Sequence, residues 1–385
     1  MIPDDTLRCL REEEFPVTAQ YAYLNHAATG PLPQRAARRM AEVAQAVSTT
    51  GDRYWSRRMA EIERVRGQLA GLLGARAPRE VAFVENTSVA LSLVAEGLDW
   101  KPGDNVVGAK LEYPANVYPW MHLAHRGVEY RLAEERDGRI DPEELISLID
   151  DRTRVLALSW VQYASGFRSD LARLGAACRE RDILFVVDAI QALGALPLNV
   201  EAAGVDIAAG AVHKWLLGPE GVGYLYVSDR VIERLRPLRS GARSPVVPFQ
   251  WTDFDLTWNE GAKRFESGTM NTYGIAALGA SLEILEEAGI ENIERRILSL
   301  ADRAARGLTE QGFPVVSSRR PGETSGIVTA THPTHVPDVL LRKLAERGVI
   351  VAARAKRLRV SPHFYNTEGE VDRFLEEVAK ITSAL

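Results

Sequence analysis

Cysteine is scarce in this chain of 385 residues, where it occurs only as Cys9 and Cys178. Two cysteines cannot build a disulfide scaffold, and neither lies in a CxxC or Cys/His cluster of the kind that binds structural zinc. We therefore expect no metal site. An excess of one charge is also lacking, since 47 Lys and Arg face 52 Asp and Glu for a net charge of −5. This balance argues against a nucleic acid or an anionic membrane as a partner.

Long apolar runs are missing as well. No segment stays apolar over the length of a membrane span, and residues 1–5 are acidic where a signal peptide would be basic. With 46% hydrophobic and 26% charged residues, the composition is that of an ordinary globular protein. We expect a cytoplasmic enzyme of two or three domains, whose reaction the composition does not identify.

Short apolar segments alternate with amphipathic ones through the first two thirds of the chain. They predict strands at residues 81–84, 105–109, 155–160, 183–187, 207–212 and 222–227. Predicted helices lie between most of them, at residues 88–96, 116–125, 142–148 and 169–181. Such alternation favours an α/β fold with a parallel sheet buried on both faces. After about residue 268 the pattern predicts a smaller α+β domain, with helices at 274–288, 290–311 and 367–381 and strands near 326–331 and 349–353.

An aspartate and a lysine stand at the ends of two predicted strands. Asp188 lies in FVVDAIQ, at the carboxyl end of a buried strand, where open α/β sheets bind ligands. Lys214 lies in AVHKWLLGP, between an imidazole and an indole. A desolvated lysine has a lowered pKa and can form a Schiff base. Taken singly, Asp188 also fits a helix N-cap, and Lys214 also fits a residue at a sheet edge.

Two junctions offer donors to an anion. The segment ENTSVAL places Thr87 and Ser88 at a predicted helix start, and RFESGTMN places Thr269 before another. Backbone amides, hydroxyls and the helix dipole bind phosphate at such positions, although each is equally an ordinary capped start. Together, phosphate donors, a carboxylate for a pyridine nitrogen and a lysine for an aldehyde match pyridoxal 5'-phosphate (PLP).

With these features the sequence resembles the class V aminotransferases of PLP fold type I, a family that includes cysteine desulfurases and isopenicillin N epimerase-like proteins. Residues 23–29 (YLNHAAT) are similar to the opening motif of the family, and residues 358–367 (LRVSPHFYNT) to its carboxyl-terminal signature. The resemblance implies a mainly parallel seven-stranded sheet between helices in a large domain, residues 23–267. It further implies a smaller α+β domain, residues 268–385, and an arm, residues 1–22, that packs on it.

The resemblance also implies a role for each matching residue. Lys214 would form the Schiff base and move the Cα proton of an amino acid through a carbanion or quinonoid stage. Asp188 would pair with the pyridine nitrogen, and Tyr113 would stack on the ring. Further cofactor contacts would come from Thr87, Ser88, Tyr163, Gln191, His213 and Thr269. Thr269 would reach the cofactor from the partner subunit, which implies a homodimer with composite sites. Substrate contacts would come from Asn25, His26, Arg354 and Arg359. The two arginines would bind a substrate carboxylate.

Three departures from the cysteine desulfurases accompany this resemblance. Those enzymes carry a nucleophilic cysteine just after the position of Arg354, whereas residues 354–359 here read RAKRLR. They also stack a histidine on the cofactor where this chain has Tyr113, and often place a serine where it has Ala211. A cysteine desulfurase is therefore not expected.

Several reactions fit the same residues. An aminotransferase, a C–S or C–C lyase and an epimerase all use the lysine, the aspartate and a Cα carbanion, so these residues do not separate them. We rank the aminotransferase first, the lyase second and the epimerase third. A non-catalytic PLP-fold module is an alternative of another class, but such proteins usually lose the lysine. A nicotinamide enzyme is disfavoured because no GxGxxG motif follows a strand.

Overall fold

The structure is a computed structural model that describes residues 3–248, 252–332 and 337–384. Its helices are α1 (Asp4–Glu14), α2 (Gln34–Thr50), α3 (Trp55–Leu73), α4 (Thr87–Gly97), α5 (Tyr118–His122), α6 (Pro142–Ser147), α7 (Leu171–Glu180), α8 (Thr272–Ala288), α9 (Ile290–Glu310), α10 (Pro337–Glu346) and α11 (Glu368–Thr382). Its strands are β1 (Ala22–Tyr23), β2 (Val81–Val84), β3 (Asn105–Ala109), β4 (Glu129–Ala133), β5 (Glu135–Arg136), β6 (Arg139–Ile140), β7 (Thr153–Ser159), β8 (Leu184–Asp188), β9 (Ile207–Ala211), β10 (Gly223–Val227), β11 (Val328–Ala330), β12 (Val349–Ile350), β13 (Ala352–Arg354) and β14 (Arg357–Val360).

Seven strands form the central sheet, in the order β2-β10-β9-β8-β7-β3-β4. Within it, β10 runs antiparallel to both of its neighbours, and the other neighbouring pairs are parallel. The expectation of a mainly parallel seven-stranded sheet in an α/β fold is confirmed. This architecture brings the carboxyl ends of six strands to one edge of the sheet.

Helices cover both faces of this sheet, and the alternation of side chains along each strand divides the core into two layers. Phe185 and Val187 of β8 join an apolar cluster with α3, α7 and α8. Leu184 and Val186 of the same strand join a second cluster with α4 and α5. Strand β8 is buried at every residue for this reason, which explains its continuous apolar sequence.

Every predicted strand and helix has an observed counterpart, but several observed elements were not predicted. Strand β4 lies at the edge of the sheet, and its residues are mostly half-buried. No apolar run marks such a strand, so periodicity predicted only six. The predicted helix 116–125 is broken into α5 and two flanking 3₁₀ turns, at Pro114–Asn116 and Leu123–Arg126. The short strands β1, β5, β6 and β14 and the helices α1, α2 and α10 were not predicted either.

A second, three-stranded antiparallel sheet, β11-β14-β13, lies near the carboxyl terminus. It packs with α9, α10 and α11 around an apolar cluster that includes Leu300, Leu344, Val360 and Phe374. Helix α8, which the predicted boundary at residue 268 assigns to the small domain, packs instead in the core of the central sheet. The division into an arm and two domains stays a proposal.

The beginning of the chain is joined to its carboxyl-terminal part. Strand β1 pairs in parallel with β12. Arg11 of α1 donates to the carbonyl of Tyr365 and to the carboxylate of Glu370, and Phe15 stacks on the Tyr365 ring. These contacts carry the following segment, residues 23–30, toward the carboxyl edge of the sheet. Among the described residues, no helix combines the length and the apolar character that a membrane span requires.

Candidate active site

A cavity of about 250 Å³ lies where several strands of the central sheet end. Thr87 follows β2, Asp188 ends β8 and Lys214 follows β9, so sheet topology gathers residues that are far apart in sequence. The cavity is lined by ten of the residues that the sequence predicted for the site: Thr87, Ser88, Tyr113, Tyr163, Asp188, Gln191, His213, Lys214, Arg354 and Arg359.

Lys214 lies on the loop between β9 and β10 and is only 7% exposed. Burial lowers the pKa of its amine to about 8, with Arg359 and Arg354 acting in the same direction and Asp188 opposing them. Its Nζ lies 5.4 Å from the centre of the Tyr113 ring. The amine is therefore available in its neutral, nucleophilic form close to neutral pH.

The opening segment holds this loop in position. The backbone N–H of Gly30 donates to the carbonyl of His213 at 2.8 Å. A Cβ at residue 30 would lie 2.3 Å from the carbonyl oxygen of Lys214, so only glycine allows this approach. The segment YLNHAATG thus contributes to the site through its backbone, while Ala27 and Ala28 line the cavity.

Asp188 is a fully buried carboxylate with one oxygen unused. Oδ1 accepts the backbone N–H of Ile190 at 3.0 Å, whereas Oδ2 is out of solvent and has no hydrogen-bond partner. Burial raises the pKa of this carboxyl to about 7; Glu112 adds to the rise, and the Ile190 N–H and Lys214 oppose it. A buried acceptor without a donor is unfavourable, so this oxygen fits a ligand that brings an N–H.

A second unused polar atom lies at the start of α4. The Asn86 side chain caps this helix by accepting the N–H of Val89 at 3.0 Å. The Oγ1 of Thr87 is buried without a partner, and Ser88 beside it is exposed. His213 is half-buried, and burial lowers its pKa. Free hydroxyls at a helix amino-terminus fit a phosphate group.

These two unused atoms fit PLP at its two polar ends. Asp188 can accept from the ring nitrogen, and Thr87 and Ser88 can donate to the phosphate. Gln191, one of the predicted cofactor contacts, accepts from Trp215 with its side-chain carbonyl and donates one amide hydrogen to the carbonyl of Ala27. One amide hydrogen of Gln191 is left for a ligand.

Arg359 on β14 is a cation of the cavity that is buried with unpartnered donors. It is 1% exposed, and Nη1 donates to the carbonyl of Tyr163, but Nε and Nη2 have no partner. Burial, assisted by the neighbouring Arg354, lowers its pKa to about 9. Arg354 itself is exposed and donates only to the adjacent Ala353 carbonyl among the described hydrogen bonds. A buried guanidinium with free donors fits an anionic ligand such as a carboxylate.

A buried carboxylate that the sequence analysis did not predict, Glu112, lies next to the cavity-lining residue Tyr113. Glu112 accepts the backbone N–H of Ser159 at 2.7 Å and the Gln162 amide at 2.6 Å, and it is also bonded to the Ser159 hydroxyl. Burial raises its pKa. The network fixes the chain just before Tyr113. An acidic residue shortly after the buried strand β3 is the sequence feature that could have indicated this carboxylate.

Three predicted residues are not brought into the cavity. His26 is fully buried, with Nδ1 bonded to the Ser361 carbonyl and Nε2 to the Tyr365 hydroxyl, and burial holds its pKa well below the usual range. Asn25 forms a β-bridge with Ser361. Thr269 is exposed and lines a separate depression of about 160 Å³. Asn25 Oδ1 is buried without a hydrogen-bond partner, and contact of Asn25 and His26 with substrate stays a prediction.

No cysteine lines the cavity. Cys9 lies exposed on α1 and Cys178 is buried in α7. The turn between β13 and β14, where the resemblance would place the cysteine of a desulfurase, consists here of Ala355 and Lys356 with φ values of 49° and 60°. Such a two-residue hairpin turn is too short to hold an extended loop.

Comparison with known sequences extends these observations. The sequence model of the family described as "Aminotransferase class-V" matches residues 22–374. A protein of Methanothermobacter thermautotrophicus named "Probable cysteine desulfurase" is 30% identical, in an alignment that covers 95% of this chain and 96% of the relative.

Solved structures give the same fold. The apo structure of a cysteine desulfurase from Thermococcus onnurineus superposes with a TM-score of 0.90 at 27% identity, covering 100% of this chain and 99% of the other. The cystine C–S lyase C-DES, in complex with its reaction product cysteine persulfide, gives a TM-score of 0.89 at 25% identity, covering 95% of this chain and 99% of the other. A variant of C-DES holds glycine covalently linked to its PLP cofactor.

Proposed function

Because the chain belongs to the class V aminotransferase family of PLP-dependent enzymes, we propose that it is a C–S lyase. Its substrate would be cysteine, cystine or a similar sulfur-containing amino acid, and the sulfur would leave into solution. The observation that carries the proposal is a cavity with Lys214, Asp188 and Arg359 but without a cysteine to receive sulfur.

In this proposal, bound PLP supplies an electron sink for charge that develops at Cα. Lys214 takes the proton from Cα, for which its lowered pKa near neutral pH is suited. Asp188 accepts the ring N–H through the unused Oδ2 and so keeps the ring protonated. Thr87 and Ser88 would hold the phosphate, and Tyr113 would contact the face of the ring.

Arg359 would bind the α-carboxylate of the substrate with its two unpartnered donors. This contact fixes the amino acid so that the Cα–H bond faces Lys214 and the Cβ–S bond remains free to break. Loss of the Cα proton is then followed by cleavage of the Cβ–S bond, with the electron pair leaving on sulfur. The released aminoacrylate hydrolyses to pyruvate and ammonia.

The relatives support a lyase over the aminotransferase that the sequence reasoning ranked first. Both the sequence relative and the two solved structures are named for enzymes that act on the C–S bond. The hairpin turn at Ala355 and Lys356 supplies no cysteine, which supports release of sulfur without an enzyme thiol.

Product analysis tests the proposal. The holoenzyme is incubated with L-cysteine or L-cystine and no keto acid, and pyruvate, alanine and sulfide or persulfide are measured. We expect pyruvate and released sulfur in equal amounts, with the cofactor spectrum restored after turnover. Alanine as the product would indicate a desulfurase. A pyridoxamine spectrum and a requirement for a keto acid would indicate an aminotransferase.

The chain offers a sharp control, since its only cysteines are Cys9 and Cys178. The Cys9→Ser/Cys178→Ala double variant is expected to release pyruvate at the wild-type rate. Loss of activity in this variant, with the fold retained by circular dichroism, would contradict sulfur release without an enzyme thiol.

We further propose that the enzyme is a homodimer in which Thr269 completes the partner's phosphate site. Thr269 is exposed and separated from the cavity of its own chain. Phe254 and Leu256, not far before it, are 87% and 54% exposed. Apolar side chains left open in this way are typical of a surface covered by another chain.

Mixing two inactive variants tests this arrangement. Lys214→Ala removes the amine, and Thr269→Glu places a carboxylate against the phosphate. If Thr269 acts across the interface, a mixed dimer contains one intact site, and an exchanged equal mixture recovers at most roughly a quarter of wild-type activity. Lys214→Ala mixed with Arg359→Met is the control, because both residues belong to one cavity and no recovery is expected. Equal activity of the two mixtures would disprove a composite site.

A further inference from the structure

Two histidines on the surface are brought together by the end of a helix. His122 is the last residue of α5, and His125 lies in the 3₁₀ turn Leu123–Arg126 that follows. In 3₁₀ geometry, residues three apart lie nearly above one another. The two imidazole rings accordingly have their centres 4.7 Å apart, and both residues are exposed.

A carboxylate from another helix faces this pair. Glu96, next to the last residue of α4, is held at Oε2 by Arg126, which donates from Nη2 at 2.5 Å. The other oxygen, Oε1, is out of solvent without a hydrogen-bond partner and lies 3.6 Å from Nε2 of His122. Arg126 thus fixes the carboxylate with one oxygen directed toward an imidazole.

The second imidazole is also oriented for binding. Nδ1 of His125 lies 2.5 Å from the carbonyl oxygen of His122. A carbonyl can only accept, so Nδ1 carries the hydrogen, and the neutral ring keeps its lone pair on Nε2. Histidines that bind metals are usually oriented in this way, by donating their other N–H to a carbonyl or carboxylate.

We propose that Glu96, His122 and His125 form a binding site for a divalent transition metal, best suited to Zn²⁺. One ligand atom from each residue lies within 4.8 Å of the others, the only such group of three in the part of the chain that the structure describes. Zn–N bonds of about 2.0–2.1 Å bring tetrahedral ligands to about 3.3 Å from one another. The exposed His122 side chain can rotate to close the difference, and water completes the coordination.

The sequence offered no sign of this site, because Glu96 precedes the histidines by a strand and a loop and no cysteine takes part. It is also distinct from the PLP cavity. Glu96 lies nine residues along α4 from Thr87, which is about 14 Å of helix. A metal here would fasten the far end of α4 to α5 without touching the reacting groups.

Zinc binding to the holoenzyme tests the inference. After removal of metals with a chelator, wild-type protein is dialysed against micromolar Zn²⁺, and bound zinc is counted by elemental analysis. We expect one zinc per chain that is absent from the His122→Ala/His125→Ala double variant. Met121→Ala is the matched control, since Met121 is exposed on the same helix and offers no ligand in the proposed site. It should bind zinc as the wild type does.

Thermal stability and enzyme activity are two further measurements that distinguish a zinc site from a surface ion pair between Glu96 and His122. Added Zn²⁺ should raise the Tm of wild type and of Met121→Ala, and leave that of the double variant unchanged. The cofactor absorbance and the pyruvate assay should be the same in all three proteins, which also verifies that the double variant folds. Equal zinc binding by wild type and double variant would overturn the proposal, as would a wild-type protein that retains no zinc.

Discussion

Lys214→Ala is expected to abolish covalent attachment of the cofactor and to lower turnover by at least roughly 10²–10⁴-fold, the usual contribution of a positioned acid–base group. Lys214 is 7% exposed, burial lowers the pKa of its amine, and no other lysine lines the cavity. Borohydride reduction followed by mass spectrometry of peptides measures the linkage, and the pyruvate assay measures turnover.

The matched control is Lys110→Ala. Lys110 follows β3 and is half-exposed in an ion pair with Glu134, so its loss should change neither linkage nor turnover. With cofactor removed from both proteins, Lys214→Ala should also leave the free energy of unfolding unchanged or raised, because an ammonium buried in the fold is unfavourable. A reduced cofactor adduct on any other residue, or wild-type turnover without Lys214, would disprove the assignment.

The sheet and its ligand edge were predictable because their signals are local. Strand β8 is apolar at consecutive residues, and the polar residue that ends it, Asp188, must lie at the carboxyl edge once the sheet is parallel. Lys214 after β9 follows by the same argument. What these residues have in common is that a few neighbours in sequence determine their place.

The remaining features depend on contacts between distant parts of the chain. Strand β4 could not be recognised, since an edge strand needs no apolar run. Histidine is a residue type that often contacts substrates, which is why His26 was predicted for the site. Its hydrogen bonds to Ser361 and Tyr365, more than 300 residues away, hold it outside the cavity lining. That Asp188 has an oxygen and Arg359 has donors without partners is likewise determined by tertiary packing. Sequence identifies the chemical groups, and only packing shows which of them are left without a partner.

Arg359→Met is expected to weaken catalysis while strengthening the fold. Loss of one partner of a buried, hydrogen-bonded charge pair is worth about 2–5 kcal/mol, which corresponds to a fall in kcat/KM of roughly 30- to 4,000-fold. Most of the fall should appear in KM if Arg359 binds the carboxylate equally in ground and transition states. Steady-state kinetics with L-cysteine and L-cystine measure both constants.

The stability of the same variant is the more discriminating measurement. Arg359 is 1% exposed, with Nε and Nη2 unpartnered, and its lowered pKa reflects the penalty for burying the charge. A methionine of similar length removes that penalty, so the midpoint of urea unfolding should rise. Arg354→Met is the control, because its side chain is exposed, and its unfolding midpoint should hardly move. A variant of Arg359 that loses both activity and stability would show that the guanidinium supports the fold instead of waiting for a substrate carboxylate.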